Sequence, residues 1–214
     1  MRKPVQCLLA GLLLTATILL AAPAGAQAQF GTTYFLTYKT GLQDPSITGD
    51  TLFKDLENEH GPAKGDRMLA PWALEIDVYA LDSGAFASGL GVEVVRGVET
   101  YHFQDGTRVH QVIKGVNYFL KTFWRLGLLQ PYMGLGVGNY YLNYQESGTN
   151  AIALRDSPHN VFSTRLGTRF LGGRWGTIVE YGRTTAMLQV NRVTGSSRVE
   201  LGGEYLFLGG FLAW

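Results

Sequence analysis

The chain has 214 residues, with 18 Lys and Arg against 17 Asp and Glu, and charged residues make up 16% of it, against a usual ~25%. That near-neutral balance, with no basic run and no aromatic-basic module, excludes nucleic acid as a partner. A single cysteine, Cys7, excludes a disulfide within the chain.

Arg2 and Lys3 precede an apolar run over 8–22, and Ala24-Gly25-Ala26 and Ala26-Gln27-Ala28 each place small residues around a cleavage site. The run is short of the ~20 residues that span a bilayer, so a secretory signal peptide is expected over 1–28. The remaining 29–214 are expected to form one domain. Cys7 precedes the apolar run, where it cannot be the acylated residue of a lipoprotein signal, and the mature chain has no thiol. Removing Arg2 and Lys3 leaves 16 basic against 17 acidic residues, a net charge near −1. No later apolar stretch has helix-spanning length. In a membrane, this domain must therefore be a closed sheet, the other structure that satisfies every backbone group in lipid.

Eight strands are read in chain order, near 31–40, 71–81, 87–103, 108–124, 129–145, 158–172, 174–188 and 197–213. In the second, Trp72, Leu74, Ile76, Val78 and Ala80 oppose Glu75, Asp77 and Tyr79. In the third, Leu90, Val92 and Val94 oppose Gly91 and Glu93. The sixth opposes Phe162, Leu166 and Phe170 to Ser163, Arg165 and Arg169. This two-residue period is that of strands with one apolar and one polar face. The first and fourth strands do not assign their faces. In the fourth, Lys114 shares a face with Val112, Val116, Tyr118 and Leu120.

The connections alternate in length. Those over 41–70, 104–107, 146–157 and 189–196 would lie at one end of an up-and-down barrel, and the short turns at 82–86, 125–127 and 172–173 at the other. Phe30, Phe86, Trp124, Tyr132, Trp175 and Trp214 fall near the short-turn ends, with Tyr38, Trp72, Tyr101 and Tyr141 near the long-loop ends. Aromatic girdles of this kind sit at headgroup level. Within the first long loop, Leu52, Phe53 and Leu56 have helical spacing and Gly61-Pro62 stops it, which predicts a short surface helix with a solvated acidic face at Asp55, Glu57 and Glu59.

In the last strand, Val199, Leu201, Gly203, Tyr205, Phe207, Gly209 and Phe211 form a greasy face against Arg198, Glu200, Gly202 and Glu204, and the sequence closes on Trp214. With this strand and the segment Gln130-Pro131-Tyr132-Met133-Gly134-Leu135-Gly136-Val137-Gly138, the chain resembles the eight-stranded bacterial outer-membrane β-barrels of the OmpA, OmpX and OmpW kind. The resemblance implies an all-β antiparallel barrel in the outer membrane, with short turns periplasmic and long loops extracellular. It also implies lipopolysaccharide and outer-membrane lipids as neighbours, and an assembly signal at Phe211 and Trp214 read by the barrel-assembly machinery.

Chemistry is sparse. Gly134, Gly136 and Gly138 do not open a helix, as a phosphate-binding loop requires, and read instead as space for large side chains inside a narrow barrel. His60, His102, His110 and His159 have no metal-ligand spacing. His159 and Ser163 share a face but lie ~13 Å apart along a strand, too far for a nucleophile-base pair. The lipid A 3-O-deacylases, also eight-stranded barrels, carry His-x-Ser-Asn on the penultimate strand, where this chain reads Gly182-Arg183-Thr184-Thr185-Ala186. No enzyme, metal or cofactor is therefore expected. A hairpin with Gly172-Gly173 as its two loop residues would place Arg165 directly opposite Glu180. Glu75, Asp77, Glu93, Arg165, Arg169, Glu180, Glu200 and Glu204 would then form a charge network filling the lumen. The expected role is structural or surface-interacting through the extracellular loops, with a small solute channel as the alternative and a lipid A-modifying enzyme as the second alternative.

Overall fold

A computed structural model describes residues 33–44, 51–64, 70–82, 85–147, 153–155, 159–185, 187–192, 195–200 and 202–214. The expected signal peptide and Phe30 lie outside these residues. Among the described residues, eleven strands and one helix follow one another as β1 (Thr33–Asp44), α1 (Thr51–His60), β2 (Trp72–Asp82), β3 (Phe86–His102), β4 (Arg108–Trp124), β5 (Leu129–Ser147), β6 (Ala153–Arg155), β7 (His159–Leu171), β8 (Trp175–Thr185), β9 (Met187–Arg192), β10 (Gly195–Glu200) and β11 (Gly203–Ala213). Eight of them, β1, β2, β3, β4, β5, β7, β8 and β11, pair antiparallel with their neighbours in that order, and β11 returns to β1. The sheet has no free edge, so its backbone groups are satisfied without water. β6 adds to the outer part of β5, and β9 with β10 forms a two-stranded sheet of its own.

Side chains alternate in and out along every barrel strand. Leu74, Ile76, Leu90, Val92, Leu120, Leu135, Leu166 and Leu208 are exposed on the outer wall, a face that water would not tolerate over this area and that lipid does. The inner face is filled. Glycines make room where two large groups would otherwise meet: a Cβ at Gly136 would lie 2.2 Å from the Phe119 ring, and one at Gly115 2.2 Å from the Tyr140 ring.

The β7–β8 turn corrects the expected register. Gly172 donates its N–H to the Trp175 carbonyl at 2.8 Å, so the two loop residues are Gly173 and Arg174, one residue later than expected. Only Gly173 takes positive φ, at +96°, which suits a turn that needs glycine at its first central position. Paired numbers sum to 347. Arg165 therefore faces Gly182, and Glu180 faces Gly167. Because the shift is two residues, each side chain keeps its face.

β11 is turned over relative to expectation. Tyr205, Phe207 and Phe211 point into the lumen, while Glu204, Leu208, Leu212 and Trp214 are exposed outside. Beyond Glu204 both faces of this strand are apolar, so its parity follows from pairing: Lys39 meets Gly209, and outward Arg183 meets outward Glu204. Two of the expected girdle residues also point inward, Tyr132 and Tyr101. Phe86, Trp124, Trp175 and Trp214 are exposed on the outer wall, as are Tyr38, Trp72 and Tyr141.

Candidate functional site

The lumen is built in three layers. Toward the short-turn end, Phe35, Tyr79, Phe123, Tyr132, Leu171, Ile178 and Phe211 pack together, with Phe35 5.5 Å from Tyr79 and from Phe211, ring to ring. Toward the long-loop end, Val95, Tyr101, Phe103, Val109, Ile113, Tyr140, Leu142, Tyr205 and Phe207 form a second apolar layer. Between them lies a cluster of charges without access to water.

Four carboxylates, Glu75, Asp77, Glu93 and Glu180, meet four cations, Lys39, Lys121, Arg165 and Arg169. Arg165 reaches three carboxylates: its Nη1 lies 2.6 Å from Glu75 and 3.3 Å from Glu180, and its Nη2 2.9 Å from Glu93. Its guanidinium stacks on Phe119, 3.2 Å from the ring centre. Lys39 Nζ lies 2.8 Å from Glu75, 2.7 Å from Glu93 and 2.9 Å from Glu180. Lys121 binds Glu75 and lies 3.2 Å from Asp77, and Arg169 binds Asp77 and donates to the Tyr79 hydroxyl at 3.2 Å. Neutral donors add to two of the carboxylates: Tyr132 donates to Glu180 at 2.5 Å, and Asn117 to Glu93 at 3.0 Å.

Six of the eight network residues expected from the sequence thus come together. Glu204 does not, because β11 presents it to the outside, and the side chain of Glu200 lies outside the described residues. Lys39 and Lys121, the two lysines of the network, were not anticipated, since they sit on the two strands whose faces alternation could not assign. Ser163 shares its hydroxyl with Thr184 at 3.0 Å, and the side chain of His159 is not among those described. Among the described residues no group of three or more His, Cys, Asp or Glu side chains is placed to hold a metal ion.

The long-loop mouth is closed by α1. Phe53 and Leu56, on one face of the helix, are buried in the upper apolar layer, with Phe53 4.8 Å from Tyr101, ring to ring. The helix expected to lie on the surface is therefore a plug, because its apolar residues find an aromatic collar at the barrel rim. Its last residue ties it down: His60 Nδ1 lies 2.8 Å from Asp105 and Nε2 3.0 Å from Glu146. The Thr107 backbone N–H, and after it the His60 ring, hold the Asp105 carboxyl below the ordinary carboxylate range. A carboxyl with a lowered folded value contributes docking stability that is complete above its ordinary value of ~3.9 and is lost as pH falls through the lower one. The protection factors of the α1 amides, which remove the intrinsic pH dependence of exchange, should therefore hold from pH 7 to 5 and fall below about 4, and Asp105→Asn should flatten that response. Wild-type protection factors that do not change with pH would refute the latch.

An apolar outer wall around a dry, charge-paired interior in a closed eight-stranded sheet is the architecture of a transmembrane β-barrel. No protein-family model matches the chain, nor does any curated protein sequence. Among solved structures it is similar to the outer membrane protein OprG from Pseudomonas aeruginosa, at 11% identity over 89% of this chain and 99% of that one, with a TM-score of 0.53. Ail, the attachment invasion locus protein of Yersinia pestis, matches at 8% identity over 86% of this chain and 100% of that one, with a TM-score of 0.49. The Neisserial surface protein NspA matches at 9% identity over 86% and 99%, with a TM-score of 0.45. At these identities the likeness to OprG shows the fold.

Proposed function

We propose that the protein is a non-catalytic outer-membrane barrel that acts through its outer wall and its extracellular loops. The observation that carries this reading is the layered lumen: two apolar layers enclose a balanced charge cluster, and α1 seals the outer mouth. An eight-stranded barrel is just wide enough for side chains to fill, and here they fill it. Lipopolysaccharide and outer-membrane lipids surround the wall. During biogenesis the barrel-assembly machinery would read β11, whose outward Leu208, Leu212 and Trp214 are available at the seam. The Ser163 hydroxyl, which shares a strand with His159, is bonded to Thr184 at 3.0 Å.

The channel alternative makes the opposite prediction in one measurement. Purified protein in planar bilayers should show no steady single-channel conductance, and deleting 51–60 should not create one, because the charge cluster and the lower apolar layer remain. Stable openings in the wild type would establish a pore and displace this reading.

A further inference from the structure

From the outer wall we infer a binding site for the phosphate groups of the outer leaflet's phosphorylated glycolipid, lipid A, on the β2–β5 side of the barrel. The inference rests on the outer-membrane reading. Cross-strand register places Trp72, Arg96, Lys114 and Tyr141 in one row: Trp72 opposite Arg96, Arg96 opposite Lys114, and Lys114 opposite Tyr141. All four are exposed on the outer face. Two cations directly opposite each other bring their Cβ atoms to ~5 Å and repel. Among the described residues neither has an ion-pair partner, and the outward residues of β3, β4 and β5 include no carboxylate. On the far side of the barrel, outward Arg183 faces Glu204 instead. The like-charged pair is therefore a local feature, complementary to an anion that this chain does not supply.

Its height fits that anion. On β3 the outward residues from Phe86 to Val94 are apolar apart from Ser88, and on β4 those from Trp124 to Val116 are apolar apart from Thr122, which bonds Ser88 at 2.7 Å. Arg96 and Lys114 are the first outward charges on their strands above the short-turn girdle. Ten residues separate Phe86 from Arg96, roughly 33 Å along the strand. At a tilt of ~40° this is roughly 25 Å along the membrane normal, the height of the apolar band of such barrels. The pair thus stands where the hydrocarbon of the outer leaflet gives way to its phosphates. Above it the same wall carries Arg108, with His102 opposite it and His110 beside them, which continue the polar strip into the headgroup layer. Guanidinium and ammonium groups both bind phosphate oxygens, the first in two-point fashion, while Trp72 and Tyr141 border them with rings suited to the interface.

The test uses the full mature protein folded in zwitterionic micelles, with folding checked by heat-modifiable gel mobility, and reads bound lipid by native mass spectrometry. Bisphosphorylated lipid A should bind the wild type. Arg96→Gln with Lys114→Gln should weaken that binding about tenfold or more, two charge-assisted contacts being lost, while Arg183→Gln should leave it unchanged. Dephosphorylated lipid A should bind the wild type no better than lipid A binds the double variant. Equal binding by wild type and double variant, or an equal loss in Arg183→Gln, overturns the site, and inorganic phosphate competing at the same concentration as lipid A overturns the lipid as its source. A wild type that never shows the folded gel band sinks the barrel reading itself, and this inference with it.

Discussion

Arg165→Met is expected to destabilise the barrel by ~3–5 kcal/mol, the usual consequence of removing one partner from a buried ion cluster. The guanidinium touches Glu75, Glu93 and Glu180, as Lys39 does, and also covers the Phe119 ring. Four cations balance four carboxylates between two apolar layers, and without Arg165 one negative charge is uncompensated where water cannot reach it. Adding Glu93→Gln restores the balance, since glutamine keeps the shape and can still accept from Asn117, whose amide lies 3.0 Å from Glu93. The double variant should therefore be more stable than the sum of the single effects allows, by at least ~1 kcal/mol. Urea unfolding in micelles, followed by tryptophan fluorescence and gel mobility, measures each corner of the cycle. Strict additivity would mean that the charges do not act as one cluster.

Removing residues 210–214 should abolish the folded barrel, a larger effect than any single side chain produces. These residues carry the pairing of β11 with the start of β1: Tyr38 with Gly210, Thr37 with Phe211, Leu36 with Leu212 and Phe35 with Ala213. Trp214 and Tyr34 exchange two backbone hydrogen bonds, at 3.0 and 3.1 Å, and their rings stack 6.1 Å apart. Opening this seam leaves unpaired N–H and C=O groups against lipid, each costing several kcal/mol, and removes Phe211 from the lower apolar layer. Deleting 51–60 instead uncovers Tyr101 and Phe103 at the mouth but leaves every barrel pairing intact. That variant should still assemble, with lower stability. Equal membrane levels of the two deletions would show that the seam does not hold the barrel closed.

Strand alternation with unequal connections was enough to determine the architecture, because a two-residue period and the demand for a closed sheet in lipid leave few other arrangements. It also placed Glu75, Asp77, Glu93, Arg165 and Arg169 on the inner face, since the opposite faces of their strands carry the large apolar residues, and the hairpin after Leu171 brought in Glu180 from the next strand. Where both faces are alike, the pattern carries no parity. The apolar end of β11 read as outward Tyr205, Phe207 and Phe211, and pairing with β1 and β8 turned it over. The expected network also held an imbalance, six carboxylates to two arginines, that called for further cations. Lys39 and Lys121 supply them, but only closure of the barrel brings β1, β2, β4 and β7 around one center and shows which lysines point there. The same holds for α1: helical spacing predicts the helix, while its burial depends on a rim of aromatic side chains assembled from strands distant in the chain. Local pattern decides what each segment can be, and contacts between distant segments decide which face it buries.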